Sequence, residues 1–159
     1  MRKYLLHVLI ISFVLILAPT AQVATYAGWQ EDMEEDVRNN PDDASAHCKL
    51  AFNYLASGQT KKAIKIFKLA IRLDPYNTIE AESQPEHTVK ELSFYGLGTT
   101  FLWARKGNKF DIVGVNAAKI EYKKLKKLDT KLANILYDEI SEAEAKYEDE
   151  YGKYIPPKY

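Results

Sequence analysis

Two apolar stripes separated by a three-residue break constrain the fold of this chain more than any other feature of its sequence. The first stripe recurs at steps of three and four residues, as in a helix that buries one face, and comprises Leu50, Ala51, Tyr54 and Leu55. After Ser57-Gly58-Gln59 the second stripe follows with similar spacing, and it comprises Ala63, Ile64, Phe67, Ala70 and Ile71. Neither helix can bury its apolar face alone, so the two are predicted to pack as an antiparallel pair.

Each of the two predicted helices begins and ends at residues that favour helix termini. Asp43 is a favourable N-cap for the first helix, and Gly58 suits a left-handed C-cap at its end. Thr60 can cap the second helix. Asp74-Pro75 ends that helix, because proline disfavours a helical residue before it. The first helix is therefore predicted over residues 43–57, and the second between residues 60 and 74.

Residues 44–77 resemble one complete tetratricopeptide repeat (TPR), a helix-turn-helix unit of about 34 residues. Residues of the family's type stand at six of its eight signature positions, and these are Leu50, Ala51, Tyr54, Ala63, Phe67 and Pro75. His47 replaces the family's tryptophan, and Ala51 replaces its glycine with another small residue. The resemblance implies a stack of helix pairs that presents a binding surface and rarely carries chemistry.

A second, degenerate repeat is predicted after a polar loop over residues 76–85. A long helix is expected over residues 86–105, where Leu97, Gly98 and Phe101 resemble the family's leucine, glycine and aromatic. Gly98 is expected to lie where another helix crosses closely, since glycine within a helix is otherwise unfavourable. The apolar residues 112–115 are interpreted as an ordered loop or a helix start. The second helix of this repeat is indicated by Ala118, Tyr122 and Leu125.

One further helix is predicted at each end of the two repeats. A short acidic helix carries Trp29, Met33 and Val37 on one face, and a terminal helix, capped by Asp129 or Thr130, shields the last repeat. The predicted fold class is all-α: a right-handed stack of antiparallel helix pairs, a TPR-like α-solenoid of about two repeats with flanking helices. It spans residues 28–150, and residues 151–159 are predicted to be a flexible tail.

Residues 1–27 have the three-part layout of a secretory signal. Arg2 and Lys3 precede an apolar run, and small and polar residues follow it up to Ala27. The apolar run is shorter than the ~20 residues of a comfortable membrane span. Cleavage after Ala27 and an uncleaved membrane anchor through residues 4–18 both fit this pattern. In either case the positive end stays inside, so the repeats are predicted to be extracytoplasmic, either periplasmic or secreted. If the leader is not cleaved, it would anchor them to the membrane.

The resemblance, combined with the helical periodicity, indicates a candidate binding groove. In the family the first helix of each pair lines the concave side. The residues of the two first helices that pair packing does not use are Ser45, Cys48, Phe52, Leu55, Leu92, Tyr95, Thr99 and Leu102. Such an apolar groove suits an amphipathic helix or a hydrophobic peptide. Because large exposed apolar patches are uncommon on monomers, the same residues are also compatible with packing against the acidic helix or a neighbouring subunit.

Charge and reactive side chains exclude several functions. The formal net charge is zero, with 22 basic and 22 acidic residues, so no overall field favours nucleic acid. Cys48 is the single cysteine and cannot form an internal disulfide. It is either a small buried residue or a residue that forms an intermolecular disulfide or acts as a reactive thiol. His7, His47 and His87 lack the spacing of metal ligands, and no catalytic constellation is present. The chain is predicted not to be an enzyme and to use no metal or cofactor.

The expected function is an exported TPR-type interaction module. It would act as an adaptor or assembly factor that binds an apolar helix or peptide of another protein in its concave groove. The alternative is a membrane-anchored structural subunit that forms a homo-oligomer through the repeat surface. Stacked repeats usually need about three units to bury a stable core, and the flanking helices or self-association would complete this one.

Overall fold

The computed structural model describes residues 28–81, 84–104 and 112–152. The predicted signal or anchor and residues 153–159 of the predicted tail lie outside these ranges. The described part is predominantly helical, and its elements in chain order are α1 (28–39), α2 (Ala44–Ala56), α3 (Thr60–Leu73), β1 (Thr78–Ala81), β2 (Gln84–Thr88), α4 (Val89–Trp103), α5 (Ile112–Leu125) and α6 (Thr130–Tyr151). Within the described ranges, none of the helices combines the length and the hydrophobicity that crossing a bilayer requires.

The ends of α2 and α3 follow most of the predicted capping signals. The side chain of Asp43 accepts hydrogen bonds from the backbone N–H groups of Ser45 and Ala46, at 2.8 and 3.2 Å. Gly58 has a φ of 74°, as a left-handed C-cap requires. The predicted cap at Thr60 is wrong, because Thr60 is already the first helical residue and Gln59 precedes it without a side-chain capping bond.

The loop predicted over residues 76–85 is replaced by an antiparallel β-hairpin, so the chain is not purely α-helical. Thr78 pairs with Thr88 and Ile79 with His87, and the register shifts after Ile79. Buried Ile79 packs into the core beneath the hairpin, which stabilises two strands that are too short and polar to be evident from their sequence. Helix α4 begins at Val89 instead of residue 86, because Thr88 and Glu91 form a capping box at its N-terminus.

The first hydrophobic core lies between α2, α3 and the first half of α4. Its largest fully buried side chain is Phe67, and Ala51, Ala63 and Ala70 allow the helices to approach closely around that ring. Helix α1 adds Met33, which packs against the same core. The acidic helix predicted to cover the first helix pair is therefore confirmed.

The second core lies between α4, α5 and α6. Its fully buried members are mainly aliphatic and include Val115, Leu125, Leu136 and Ile140. Helix α5 begins at Ile112, so the apolar residues 112–115 are a helix start. At the N-terminus of α6 the side chain of Asp129 accepts a bond from the N–H of Leu132 at 2.9 Å. Asp129 is thus the cap, rather than Thr130.

Helix α4 belongs to both cores and contacts α2, α3, α5 and α6. Its two glycines allow these close approaches. A Cβ on Gly96 would lie 2.2 Å from the Cζ of Phe67, and a Cβ on Gly98 would lie 2.5 Å from the Cδ2 of Leu136. The close helix crossing predicted at Gly98 is confirmed, and Gly96 permits a second one.

Candidate functional site

An open groove of about 480 Å³ runs between α4 and α6. Its α4 wall is formed by Tyr95, Thr99, Leu102 and Trp103, and its α6 wall is formed by Glu139, Glu142, Ala143 and Lys146. Trp103 is 65% exposed, which is unusual for the largest apolar side chain and provides a flat surface at the mouth of the groove. This groove is therefore a candidate binding surface.

A carboxylate fixes two polar side chains of the α4 wall. Tyr95 Oη donates to Glu139 Oε1 at 2.6 Å, and Thr99 Oγ1 donates to Glu139 Oε2 at 2.9 Å. Desolvation, reinforced by the bond to Glu139, raises the pKa of Tyr95 to about 12. Tyr95 is therefore neutral and held as a hydrogen-bond donor at physiological pH, which keeps its ring in one orientation beside the groove.

The α6 rim of the groove carries an ion pair. Lys146 donates to the carboxylate of Glu142 one helical turn earlier. This hydrogen bond, together with the charge of Lys146, lowers the pKa of Glu142. Glu142 is exposed, so the pair contributes little to stability but gives the rim acidic and basic groups that a bound chain can meet.

Three of the eight predicted groove residues, Tyr95, Thr99 and Leu102, line this groove. Cys48 does not: it is fully buried where α2 meets α4, with its Sγ 3.6 Å from the Oγ of Ser93. Burial raises the pKa of Cys48 to about 11, so it is an inert core thiol instead of a reactive one. The helical period placed Cys48 beside Phe52, but its small side chain fills the contact between the two helices.

The remaining predicted groove residues lie at the edges of the cores. Phe52 packs edge-on against Phe67, with ring centroids 4.9 Å apart, and Leu55 lies against the same first core. Leu92 contacts both cores. Ser45 is half-buried in the first turn of α2. Phe52, Leu55 and Leu92 are thus partly covered by the protein's own cores, whereas packing of the predicted surface against the acidic helix or a neighbouring subunit stays a prediction.

The α6 wall was not identified from the sequence, because α6 was interpreted only as a shield for the last repeat. A signal for it exists. Glu139, Glu142, Ala143 and Lys146 recur at steps of three and four residues, which places them along one face of α6. The spacing thus places these four side chains on one face, but only the packing of α6 against α4 makes that face border a groove.

A second cluster of chemically active side chains lies where the hairpin meets the N-termini of α4 and α6. His87, Glu91 and Asp129 each bring one possible metal-ligand atom within 4.8 Å of the others. This cluster is not evident from the sequence, because Glu91 and Asp129 are 38 positions apart. Only the packing of three elements brings the three side chains together.

Comparison of the chain with protein-family models, with curated proteins and with solved structures finds no match. The tetratricopeptide resemblance therefore stays a prediction that rests on the residues themselves.

Proposed function

We propose that this chain is a TPR-like interaction module that binds an amphipathic helix of another protein in the groove between α4 and α6. The observation that carries the proposal is the groove itself, with its exposed Trp103, apolar Leu102 and fixed Tyr95. An aromatic anchor beside an apolar floor is the usual way in which a groove holds the apolar face of a helix.

The order of helix contacts supports a stack of helix pairs. Helices α2 and α3 pack together, as do α4 and α5. Helix α4 also contacts both members of the first pair, and α6 contacts both members of the second. The helix that follows each pair thus packs against both of its members, as expected for stacked repeats.

The charges around the groove select a basic partner helix. Glu139 and Glu142 lie on its wall, and α6 continues toward its C-terminus with Glu148, Asp149 and Glu150. Lys146 is the one basic residue of the wall. A partner helix with lysine or arginine beside its apolar face would complement this surface. The predicted leader would place the encounter on the outer side of a membrane, as expected for an adaptor or assembly factor.

The fluorescence emission of Trp103 provides a direct test of helix binding in the groove. The chain has two tryptophans, so Trp29→Phe leaves the emission of Trp103 as the reporter of the groove. The probes are three synthetic helical peptides: one with an apolar face flanked by lysines, one with the same face flanked by glutamates, and one with serines in place of the apolar face. We expect a blue shift with the lysine peptide, a weaker one with the glutamate peptide and none with the serine peptide.

Glu142→Lys is the matched variant, because Glu142 is exposed and its replacement leaves the cores unchanged. It should reverse the preference between the lysine and glutamate peptides. The proposal is wrong if no peptide shifts the emission, or if all three shift it equally in the wild-type groove.

Self-association is the second candidate, because α5 and α6 expose large apolar residues. Ile120, Ile135 and Tyr137 are each more than half exposed. The same tryptophan variant distinguishes the two functions. A blue shift that grows with protein concentration in the absence of peptide, and that Ile135→Lys abolishes, supports a self-associating structural subunit.

A further inference from the structure

We propose that His87, Glu91 and Asp129 form a binding site for one divalent transition-metal cation of the zinc class. The site lies at the N-terminal end of α4, twelve residues and ~18 Å along the helix axis from Trp103. It is therefore separate from the groove between α4 and α6, and it does not depend on the function proposed for that groove.

The distances between the side chains suit a small cation. His87 Nδ1 lies 3.2 Å from Asp129 Oδ2. Two ligands bound to a tetrahedral zinc at about 2.0–2.1 Å lie ~3.3 Å apart, so this pair already has the required separation. The ligand atom of Glu91 lies within 4.8 Å of both, so the three side chains surround a common position.

Backbone hydrogen bonds orient both carboxylates and leave one oxygen of each for a cation. Glu91 Oε2 accepts from the N–H of Thr88 at 2.8 Å, and Asp129 Oδ1 accepts from the N–H of Leu132 at 2.9 Å. Each bond uses one oxygen, so the other oxygen of each carboxylate can coordinate. Ligands that are themselves hydrogen-bonded in this way are typical of metal sites, because the outer bonds fix their orientation.

The three elements that carry the ligands are held in place independently of any ion. The hairpin is attached to the start of α4 by a bond from Val89 N–H to Asn77 O, at 2.7 Å. The side chains of His87 and Asp129 are only 14% and 19% exposed, so water screens them incompletely. A cation would therefore meet a largely preformed and partly desolvated site.

The ligand set favours one class of metal. A neutral imidazole with two carboxylates carries two negative charges, which balance a divalent cation. Imidazole and carboxylate together suit zinc and its transition-metal neighbours, whereas calcium takes six to eight oxygen ligands and magnesium a nearly octahedral oxygen shell. Three protein ligands would leave a fourth tetrahedral position for water.

The competing explanation is that His87 and Asp129 form only an ion pair that fastens the hairpin to α6. Titration of the full chain, freed of metal with a chelator, distinguishes the two. Zinc chloride and cobalt chloride are the probes, calorimetry gives affinity and stoichiometry, and the visible absorption of cobalt reports the ligand geometry. We expect one ion per chain with a Kd of about 10 µM or tighter, and no comparable binding of magnesium or calcium.

Three conservative variants remove ligands while keeping the local structure. Asp129→Asn retains a good N-cap, Glu91→Gln retains the capping box, and His87→Gln retains a polar side chain. Each should weaken zinc binding at least about tenfold, as even the loss of an outer-shell partner does. Glu35→Gln, an exposed change on α1, is the control and should leave zinc binding unaltered.

Thermal denaturation in the absence of metal verifies that each variant is folded. The proposal is overturned if the wild-type chain binds zinc more weakly than about 100 µM, or if these three variants bind zinc as tightly as the wild type does. The second result would mean that the ion binds elsewhere in the chain.

Discussion

The first helix pair, α2–α3, and the second, α4–α5, bury different kinds of side chain. In the first pair the ring of Phe67 is fully buried, and Phe52 packs edge-on against it. In the second pair the fully buried side chains of α5 are aliphatic, Val115 and Leu125, whereas the ring of Tyr122 is only partly buried. The first pair is therefore closed around an aromatic centre, and the second keeps aromatic side chains at its surface.

This difference separates the part of the chain that supports α4 from the groove that we propose as a binding surface. Helix α4 contacts both pairs, and its Gly96 faces Phe67 on one side while its Gly98 faces Leu136 on the other. The closed pair provides a rigid support for α4. The groove that we propose as a binding surface opens on the α6 side of that helix, where Tyr95 and Trp103 are not covered by a closed core.

The largest effect is expected from removal of the ring at the centre of the first pair. Phe67→Ala leaves a cavity among helices that cannot collapse without moving α4, so it should lower the free energy of unfolding by about 3–5 kcal/mol. Tyr122→Ala should lower it less, since its ring is partly exposed. Chemical denaturation followed by circular dichroism gives both values.

Lys65→Ala on the exposed face of α3 is the control and should change the free energy of unfolding by less than about 0.5 kcal/mol. An equal or greater loss for Tyr122→Ala than for Phe67→Ala would contradict the contrast between a closed and an open pair.

The second-largest effect on the free energy of unfolding is expected from substitution of the two glycines of α4. Gly96→Ala places a methyl group 2.2–2.8 Å from three ring atoms of Phe67, and that ring is fully buried and cannot turn aside. Overpacking costs about 1–3 kcal/mol, and the better helix propensity of alanine offsets up to about 1 kcal/mol. Gly98→Ala places a methyl group 2.5–3.2 Å from three carbons of Leu136, which is also fully buried but can shift more readily than an aromatic ring, so its cost should be smaller than that of Gly96→Ala.

A double variant identifies the cause of the loss at Gly96. Gly96→Ala should cost less in a Phe67→Leu background, because the smaller side chain leaves room for the new methyl group. If the cost is the same in both backgrounds, the contact between α4 and Phe67 does not limit this position.

The first pair was largely predictable, because local signals and packing agree there. Asp43 and Gly58 end α2 where their capping preferences place them, and Phe67 lies in the core where its stripe places it. Thr60 was misassigned because Gln59, which has no side-chain capping bond, takes the N-cap position. The helical period therefore places most of the inward-facing residues of this pair, with Cys48 as an exception, but it leaves the end of a helix uncertain by a residue.

The hairpin and the two candidate sites were less predictable, since they depend on contacts between distant segments. Ile79 has too few apolar neighbours in its strand to indicate a sheet, and burial against the first core stabilises it. Cys48 fitted a groove by periodicity but fills a helix contact instead. His87 and Asp129 meet only because the hairpin packs against the start of α6.

The smallest effect on the free energy of unfolding is expected from two tyrosine–glutamate hydrogen bonds, one beside each helix pair. Tyr54 donates to Glu34 of α1 at 2.9 Å, and Tyr95 donates to Glu139 of α6 at 2.6 Å. Replacing either tyrosine with phenylalanine should lower the free energy of unfolding at pH 7 by about 0.5–1.5 kcal/mol. Thermal or chemical denaturation of each variant beside the wild type measures this loss.

The pH dependence of the free energy of unfolding of these variants shows how much each tyrosine–glutamate bond contributes. Desolvation and the glutamate partner raise the pKa of both Tyr54 and Tyr95 from 10.0 to about 12 in the folded state. The stabilisation is therefore fully present below pH 10 and is lost as the pH rises toward 12. Each phenylalanine variant should lose less stability than the wild type over this interval, while the titration of lysines affects all three proteins alike.

At acid pH the hydrogen bond from Tyr54 to Glu34 is expected to lose its contribution to stability. Its hydrogen bond lowers the pKa of Glu34, so the stabilisation is present above pH 4.5 and is lost as the pH falls through the lowered pKa. Tyr54→Phe should therefore flatten the acid limb of the stability curve. An unchanged acid limb would mean that Glu34 is held by Gln30 alone, and that α1 is attached to the first pair by apolar packing rather than by this bond.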